Sequence, residues 1–356
     1  MNILIMAPDY PPEVLAGLEV LTKDLAGHLA KKHMVTVLTT GKRKIEKRGN
    51  LTVIRTQKIF KNRILYNIQE TLFFIKNSLK LNPDIILGHM VTSAGLAAVI
   101  SGKLQRKPVI VRISGAEILY PKLFKNIFLK PILKLADAIV TPNSSMIEDV
   151  RKLVGGKKIL YLPQGIDISN VSKHVRKLNK TPRIIYVGRL IPVKNLTMLI
   201  KVSKLLPNYK FVIIGDGPER ERLEKIAPNN VSFLGLISQK EVIKEMKKSD
   251  VFVLTSISES FGRVLIEALA CGLPIVAVKS QGPKDIIREG SNGYLVRLND
   301  ADDMANKINL AIKNKNKISS NNLKDADRFS WNKVLPQYES LHESLIMANK
   351  NKGGKL

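Results

Sequence analysis

Short, almost wholly apolar runs rich in Val and Ile recur along this chain, spaced so that one helix fits between neighbours: NILIMAP (2–8), MVTVLTT (34–40), LTVIRT (51–56), DIILGH (84–89), PVIVRIS (108–114), AIVTPN (138–143) and KILYLPQG (158–165). Polar, Gly or Pro turns follow them. A strand that is apolar at every position is buried on both faces, and helices can cover both faces only of a sheet whose strands run parallel. The alternation pauses at DISNVSKHVRKLNKTP, a polar, basic and Pro-punctuated stretch, and resumes with RIIYVGRL, KFVIIGDG, VSFLGL, VFVLTS, PIVAV and GYLV. The pattern predicts two doubly wound α/β domains, residues 1–166 and 183–328, with a linker over 167–182. Ligands of such domains bind at the carboxyl ends of the strands, here in a cleft between the two sheets. FSWNKVLPQYESLHESLIMA (329–348) predicts a last amphipathic helix despite Pro336, packing back towards the N-terminal domain, and the NKNKGGKL that follows is expected to fray.

At 356 residues and 44% apolar content, the chain has enough material for a core in each domain. MNILIMAP lacks a basic leader and a small-residue cleavage site, so it reads as a first strand. No apolar run approaches the roughly 18 residues of a spanning helix, so any membrane association is expected to be peripheral. The lone Cys271 excludes an intrachain disulfide and suits a reducing, cytoplasmic setting. Lys and Arg number 58 against 30 Asp and Glu, a net charge of +28. Such a balance implies an anionic partner, whether nucleic acid, anionic lipid or a phosphorylated substrate, or else a Lys-rich solvated surface. Aromatic content is 5%, and there is no RNP-like motif or paired Cys/His zinc spacing, which weakens the nucleic-acid reading.

ESFGRVLIEALACG (259–272) carries the most chemistry. Burying Glu267 in this apolar run is costly unless a protein donor or a ligand hydroxyl pairs with it. Gly262 permits a tight turn into a helix starting near Phe261, with Glu267 in its second turn and Glu259 just outside its N-terminus. That separates the carboxylates by up to about 12 Å along the axis, with free backbone N–H groups between them. A nucleotide sugar has a matching layout of sugar hydroxyls, two phosphates and a ribose diol, and helix N-termini bind phosphate. The plainer alternative pairs Glu267 with a neighbouring cation and leaves Glu259 as a cap. In YVGRLIPVKN, the turn led by Gly188 follows a strand and can aim Arg189 and Lys194 at one diphosphate, although either alone reads more simply as a surface cation.

Together VGRLIPVKN, IIGDGPERERLEK, FLGLIS, SESFGRVLIEALACGLPIVAV and GPKDIIREGSNGYLV closely resemble the retaining glycosyltransferases of family 4, the group 1 type, whose E-x7-E signature matches Glu259 and Glu267. PDYPPEVLAGLEVLTKDLAGHLAKKHMVTVLTT and KKILYLPQGID extend the resemblance over nearly the whole chain. It implies the GT-B fold, two Rossmann-like domains facing across a cleft. It further implies that Glu259 contacts donor-sugar hydroxyls, Glu267 the ribose diol, and Arg189 and Lys194 the leaving diphosphate. Gly17, Gly188 and the backbone at Phe261 and Gly262 would approach the phosphates, and the base would pack near Gly235 and Leu236. Neither a metal nor a separate cofactor is expected. Two departures stand out. LAGLE has Ala16 where relatives carry a second glycine, and RISGAEI puts Ser114 where many carry a His, with Gly115 and Glu117 behind it. Ser is no proton carrier near neutral pH. His89 is the nearest imidazole candidate on the acceptor side, or else a strand-end hydrogen bonder.

KIFKNRILYNIQETLFFIKNSLK and LYPKLFKNIFLKPILKLAD interleave cations with Phe, Ile and Leu at helical spacing. The first is expected to pack Phe73 and Phe74 on its sheet as a crossover helix. For Phe124 and Phe128 in the second, core and anionic membrane surface are both open. With the retention that the resemblance implies, the expected reaction is transfer from a nucleotide-diphosphate sugar to a lipid-linked or membrane-proximal glycan, by a cytoplasmic protein that any membrane binding would place at the inner face of the plasma membrane. The same chemistry on a soluble sugar phosphate or metabolite is the alternative, and a non-catalytic nucleic-acid-binding protein a distant third.

Overall fold

The computed structural model describes residues 1–12, 17–42, 44–115, 117, 121–168 and 179–353. They form two units, Met1–Gly165 with the segment from Trp331 onward, and Ile166–Ser330. In the first, β1 (Asn2–Met6), α1 (Gly17–Leu29), β2 (Met34–Thr40), β3 (Lys44–Arg48), β4 (Leu51–Thr56), α2 (Arg63–Ser78), β5 (Ile85–His89) and α3 (Ser93–Gln105) come first. β6 (Val109–Arg112), α4 (Lys122–Phe124), α5 (Lys130–Leu135), β7 (Ala138–Thr141), α6 (Ser145–Val154) and β8 (Lys158–Tyr161) follow. Among the described residues the sheet order is β3-β4-β2-β1-β5-β6-β7-β8, with β3 antiparallel to β4.

The continuous apolar character of β1 has the expected cause. Ile3 and Ile5 join Leu21, Leu25 and Leu29 of α1 on one face, while Leu4 and Met6 join Phe74 of α2 and Ala94, Ala97 and Ala98 of α3 on the other. β3 is an addition to the sequence reading. Its KIEKR is charged on both faces, so no apolar pattern betrays it, and such charge blunts an exposed sheet edge.

The second unit contains β9 (Arg183–Val187), α7 (Leu196–Leu205), β10 (Lys210–Ile214), α8 (Arg220–Ile226), β11 (Val231–Gly235), α9 (Gln239–Lys247) and β12 (Val251–Leu254). α10 (Arg263–Ala270), β13 (Ile275–Val278), α11 (Gln281–Ile286), β14 (Gly293–Val296), α12 (Ala301–Lys313) and α13 (Lys315–Asp325) complete it. Its strands are parallel in the order β11-β10-β9-β12-β13-β14. Both sheets reverse strand order once, between β1 and β5 and between β9 and β12, and doubly wound sheets bind ligands above the carboxyl ends at such points. Of the expected linker, residues 169–178 lie outside the described residues. Asn179, at its far end, bonds the Asp250 carboxylate at 2.6 Å.

α14 (Trp331–Gly353) returns to the first unit, where Trp331, Val334, Tyr338, Leu341 and Leu345 join the core on the α1 face. It extends beyond residue 348 into the segment expected to fray, of which 354–356 lie outside the described residues. α2 packs Phe73 and Phe74 against the sheet as expected. Phe74 is core, but Ile64, Leu65, Ile68 and Leu72 are exposed, because the face that meets the unit is carried by Glu70, Phe74 and Ser78. Phe124 and Phe128 stack on each other at 4.8 Å and remain 36% and 53% exposed. Among the described residues no helix is long and apolar enough to cross a membrane.

Candidate active site

The loops after β9 and β12 are laced together. The Ile257 N–H donates to the Val193 carbonyl at 2.9 Å, and Thr255 Oγ1 to the Lys194 carbonyl at 2.7 Å. The lacing sets Lys194 Nζ 2.6 Å from Glu259 Oε2, with both side chains largely shielded from water. Two expected site residues, 65 positions apart, are thus a direct ion pair. Beneath them lies Tyr186, whose hydroxyl donates to the Arg189 carbonyl at 3.4 Å. Burial, and then the Glu259 carboxylate, push the Tyr186 phenol above its ordinary range, and the Arg189 guanidinium opposes them. Arg189 itself is exposed, so this strand end carries one cation open to solvent and one paired.

Glycine is a steric necessity here. A Cβ on Gly188 would lie 2.6 Å from the Tyr186 hydroxyl, and one on Gly215, whose φ is +131°, only 1.9 Å from the Gly188 carbonyl. The Gly215 N–H in turn donates to the Gly235 carbonyl at 2.9 Å, so the turns after β9, β10 and β11 touch backbone to backbone. Leu236, next to Gly235, is 80% exposed and offers an apolar surface at this edge.

α10 begins at Arg263, two residues later than expected, with Gly262 in the left-handed region (φ 86°) as a cap without a side chain. Glu267 lies in the second turn, and Arg263 Nε donates to its Oε1 at 3.2 Å across one helical turn. Phe261 is 1% exposed and packs edge-on against Phe329, which leaves only its backbone to reach a ligand.

In the first unit, Gly17 opens α1, and an added Cβ would meet nothing within 4 Å, so packing does not demand glycine there. Ala16 lies outside the described residues. His89, the last residue of β5, is buried with Nδ1 2.7 Å from Thr22 Oγ1, which lies 2.8 Å from the Leu18 carbonyl. The single hydroxyl proton of Thr22 serves that carbonyl, so His89 Nδ1 must carry the proton of the first contact. Burial, helped by nearby Arg112, lowers the His89 pKa to about 3, and the ring is neutral. Ser114 is committed to Glu117: its N–H (3.0 Å) and Oγ (2.5 Å) and the Gly115 N–H (2.9 Å) donate to one carboxylate oxygen, and the Val91 N–H (3.3 Å) to the other. These donors stabilise a fully buried carboxylate in place of a cation.

The sequence reading missed a cavity of about 520 Å³ at the carboxyl ends of β1, β2 and β5, lined by Asp9, Lys58, Lys61, Arg63, Tyr66, Glu70, Met90 and Ser93 among others. Glu70 is 1% exposed and accepts from the Tyr66 hydroxyl at 3.2 Å and from Ser93 Oγ. Burial raises its pKa to about 7 against the pull of those two hydroxyls. Asp9 is raised too, by burial, with Lys58 opposing. The recoverable signal was spacing: Glu70, Phe74 and Ser78 share one helical face, so a carboxylate stood on the buried stripe. A slightly larger cleft, about 630 Å³, opens at the amino ends of β10 and β11 and is lined by none of the expected site residues. Among the described residues no group of three or more His, Cys, Asp or Glu side chains is arranged to hold a metal ion.

Compared with known proteins, residues 15–170 match the family model described as Glycosyltransferase Family 4, and residues 167–328 that described as Glycosyl transferases group 1. The chain belongs to the group 1 glycosyltransferases. It is 26% identical over 253 residues to the sulfoquinovosyl transferase SQD2 of Arabidopsis thaliana, a match covering 64% of this chain and 50% of that one. The chain thus spans about half the length of that curated relative. Among solved structures, sucrose-phosphate synthase from Thermosynechococcus elongatus superposes with a TM-score of 0.82 at 18% identity, covering 98% of this chain and 99% of that one. HepE of Anabaena, solved with UDP and glucose, gives 0.76 at 21% identity, covering 97% and 100%. The expected GT-B fold is confirmed for this group 1 glycosyltransferase: both units are the parallel-sheet α/β domains of that class.

Proposed function

We propose that the protein transfers a sugar from a nucleotide-diphosphate sugar, with retention at the anomeric carbon and without a metal ion, to a lipid-linked or membrane-proximal acceptor. The observation that carries the reading is the Lys194–Glu259 pair beside Arg189 at the reversal point of the second sheet. An ammonium has three N–H donors, and Glu259 takes one, which leaves Lys194 able to hold a diphosphate oxygen while it orients Glu259 towards sugar hydroxyls. Arg189 supplies the fork for the other phosphate. These charges oppose the negative charge that builds on the leaving group, the task a metal performs elsewhere. Glu267, steadied by Arg263, faces the ribose diol. The complex of HepE with UDP supports UDP-sugars as the first donors to test.

In the reaction the acceptor oxygen bonds to the anomeric carbon on the face the diphosphate leaves. The carbon–oxygen bond to the diphosphate breaks with its electron pair, and the diphosphate takes the acceptor's proton. This step needs neither the neutral, buried His89 nor Ser114. Membrane proximity is supported by the net charge of +28 and by the exposed Ile64, Leu65, Ile68 and Leu72 among the cations of α2.

Proton NMR of the anomeric signal in the first product formed, glycoside or slowly hydrolysed sugar, tests the reading with and without EDTA. The donor's configuration should persist and EDTA should change nothing. An inverted product would sink retention, and activity restored only by Mg²⁺ or Mn²⁺ would sink the metal-free step.

A further inference from the structure

We propose that the cavity of the first unit binds a phosphorylated polyol, its phosphate at the rim formed by Lys58, Lys61 and Arg63 and its hydroxyls on Glu70 and Asp9. This deepens the acceptor reading above and rests on it.

The rim is built, not merely basic. Gln69 Nε2 donates to the Gln57 carbonyl at 2.8 Å, and its Oε1 accepts from the Ile59 N–H at 3.2 Å. Asn62 caps α2 by accepting from the Ile64 and Leu65 N–H groups at 2.9 and 3.3 Å. Lys58 Nζ lies over the Tyr66 ring, 4.4 Å from its centre. Three cations within six residues are thereby gathered at one mouth. α3 also begins at the cavity wall, and its N-cap Thr92 makes no side-chain capping bond, so the positive end of a 13-residue helix adds to the attraction for an anion.

The floor demands something different. Glu70 and Asp9 would repel an anion that filled the cavity, but they accept hydrogen bonds from neutral hydroxyls, as Glu70 already does from Tyr66 and Ser93. The ligand must therefore carry its charge at one end and O–H donors at the other. That excludes a bare phosphate, a polycarboxylate and an uncharged sugar as the best fit. About 520 Å³ suits one sugar phosphate or glycerol phosphate. Met90, a wall residue, is held at φ 77°, costly for a residue with a Cβ, and strain of this kind is retained where a surrounding site fixes it. The source of such a ligand is either a soluble phosphate ester or a phospholipid headgroup whose chains lie over the exposed Ile59, Phe60, Ile64 and Leu65 next to the rim.

Calorimetric titration of the full chain without donor tests the site directly, using sn-glycerol 3-phosphate, glycerol, inorganic phosphate, and vesicles of phosphatidylglycerol or phosphatidylcholine. Glycerol 3-phosphate or phosphatidylglycerol should bind at least tenfold more tightly than inorganic phosphate, and glycerol not at all. Whichever of the two binds assigns the source. Lys61→Glu with Arg63→Glu, both exposed and tolerant of change, should weaken that binding at least tenfold, and Lys61→Arg with Arg63→Lys should restore most of it. Glu70→Gln should weaken the phosphorylated polyol several-fold while leaving inorganic phosphate unchanged. Equal affinity for glycerol 3-phosphate and inorganic phosphate, or no effect of the charge reversal, would overturn the proposal. UDP titrated in parallel keeps the readings apart: its failure to bind counts against the donor site, not against this cavity.

Discussion

Lys194 and Glu259 are each other's counter-charge, so in the proposed reaction removing Lys194 would take a cation from the leaving group, and it also strands a shielded carboxylate. Lys194→Ala should lower kcat/KM by about 2 to 4 kcal/mol of transition-state stabilisation and measurably destabilise the second unit. Arg189 is exposed, so Arg189→Ala should lower kcat/KM comparably and leave stability within about 0.5 kcal/mol. Steady-state kinetics and urea unfolding of both variants check the pair; unchanged turnover in both would remove them from the reaction. Glu70 gives a pH signature. Its folded pKa of about 7 stands above the ordinary 4.5, so between these values the folded chain keeps a proton that the unfolded chain releases. Stability is therefore greatest below about pH 4.5 as far as this group is concerned, and falls as pH rises through 7, by roughly 3 kcal/mol in all. Glu70→Gln should flatten that slope in urea midpoints measured from pH 5 to 8, and an unchanged slope would place the titration elsewhere. What the sequence revealed at this scale was residue type against local pattern. Glu267 stood out because a carboxylate inside an apolar run needs a partner, whereas Glu259, Arg189 and Lys194 were marked by the motifs taken together. That Lys194 meets Glu259, or Thr22 meets His89 across 67 positions, depends on which strands are neighbours, and no local pattern carries that.

At the scale of elements, strands were legible wherever both faces are buried, because burial on both sides leaves no room for polar residues. β3 escaped because neither of its faces is buried. α2 packs Phe73 and Phe74 as expected, and because a crossover helix needs only one face against its unit, Ile64, Leu65, Ile68 and Leu72 stand exposed on the other. An exposed apolar row among cations suits the headgroup boundary of an anionic bilayer. The protein should sediment with phosphatidylglycerol vesicles, be released as salt rises, and bind phosphatidylcholine poorly. Ile68→Ser with Leu72→Ser should weaken sedimentation about tenfold or more, through lost apolar burial, with little change in thermal stability. Equal binding by the double variant would show that charge alone holds the protein and that this face is not the contact.

Across the whole molecule, the chain leaves the first unit after Gly165 and re-enters it at Trp331, so the N-terminal core is completed by the last helix. Trp331 fits there against backbone: a Cβ on Gly165 would lie 2.5 Å from its ring, and His28 stacks on it at 4.7 Å. Further along α14, the Tyr338 hydroxyl receives Arg112 Nη1 at 2.5 Å, and Leu341 and Leu345 close the same core. Trp331 is the single tryptophan of the sequence and is buried in the core of the first unit, so its emission follows that core. Leu341→Ala should cost about 2 to 4 kcal/mol through lost burial and an incompletely filled cavity, a large share of the stability of a unit this size. The urea midpoint followed by Trp331 emission should fall accordingly, while far-UV circular dichroism separates into two steps, the one from the second unit unmoved. If emission and dichroism instead shift together as one transition, the two units unfold as a single cooperative body, and α14 stabilises the whole chain rather than the N-terminal core it completes.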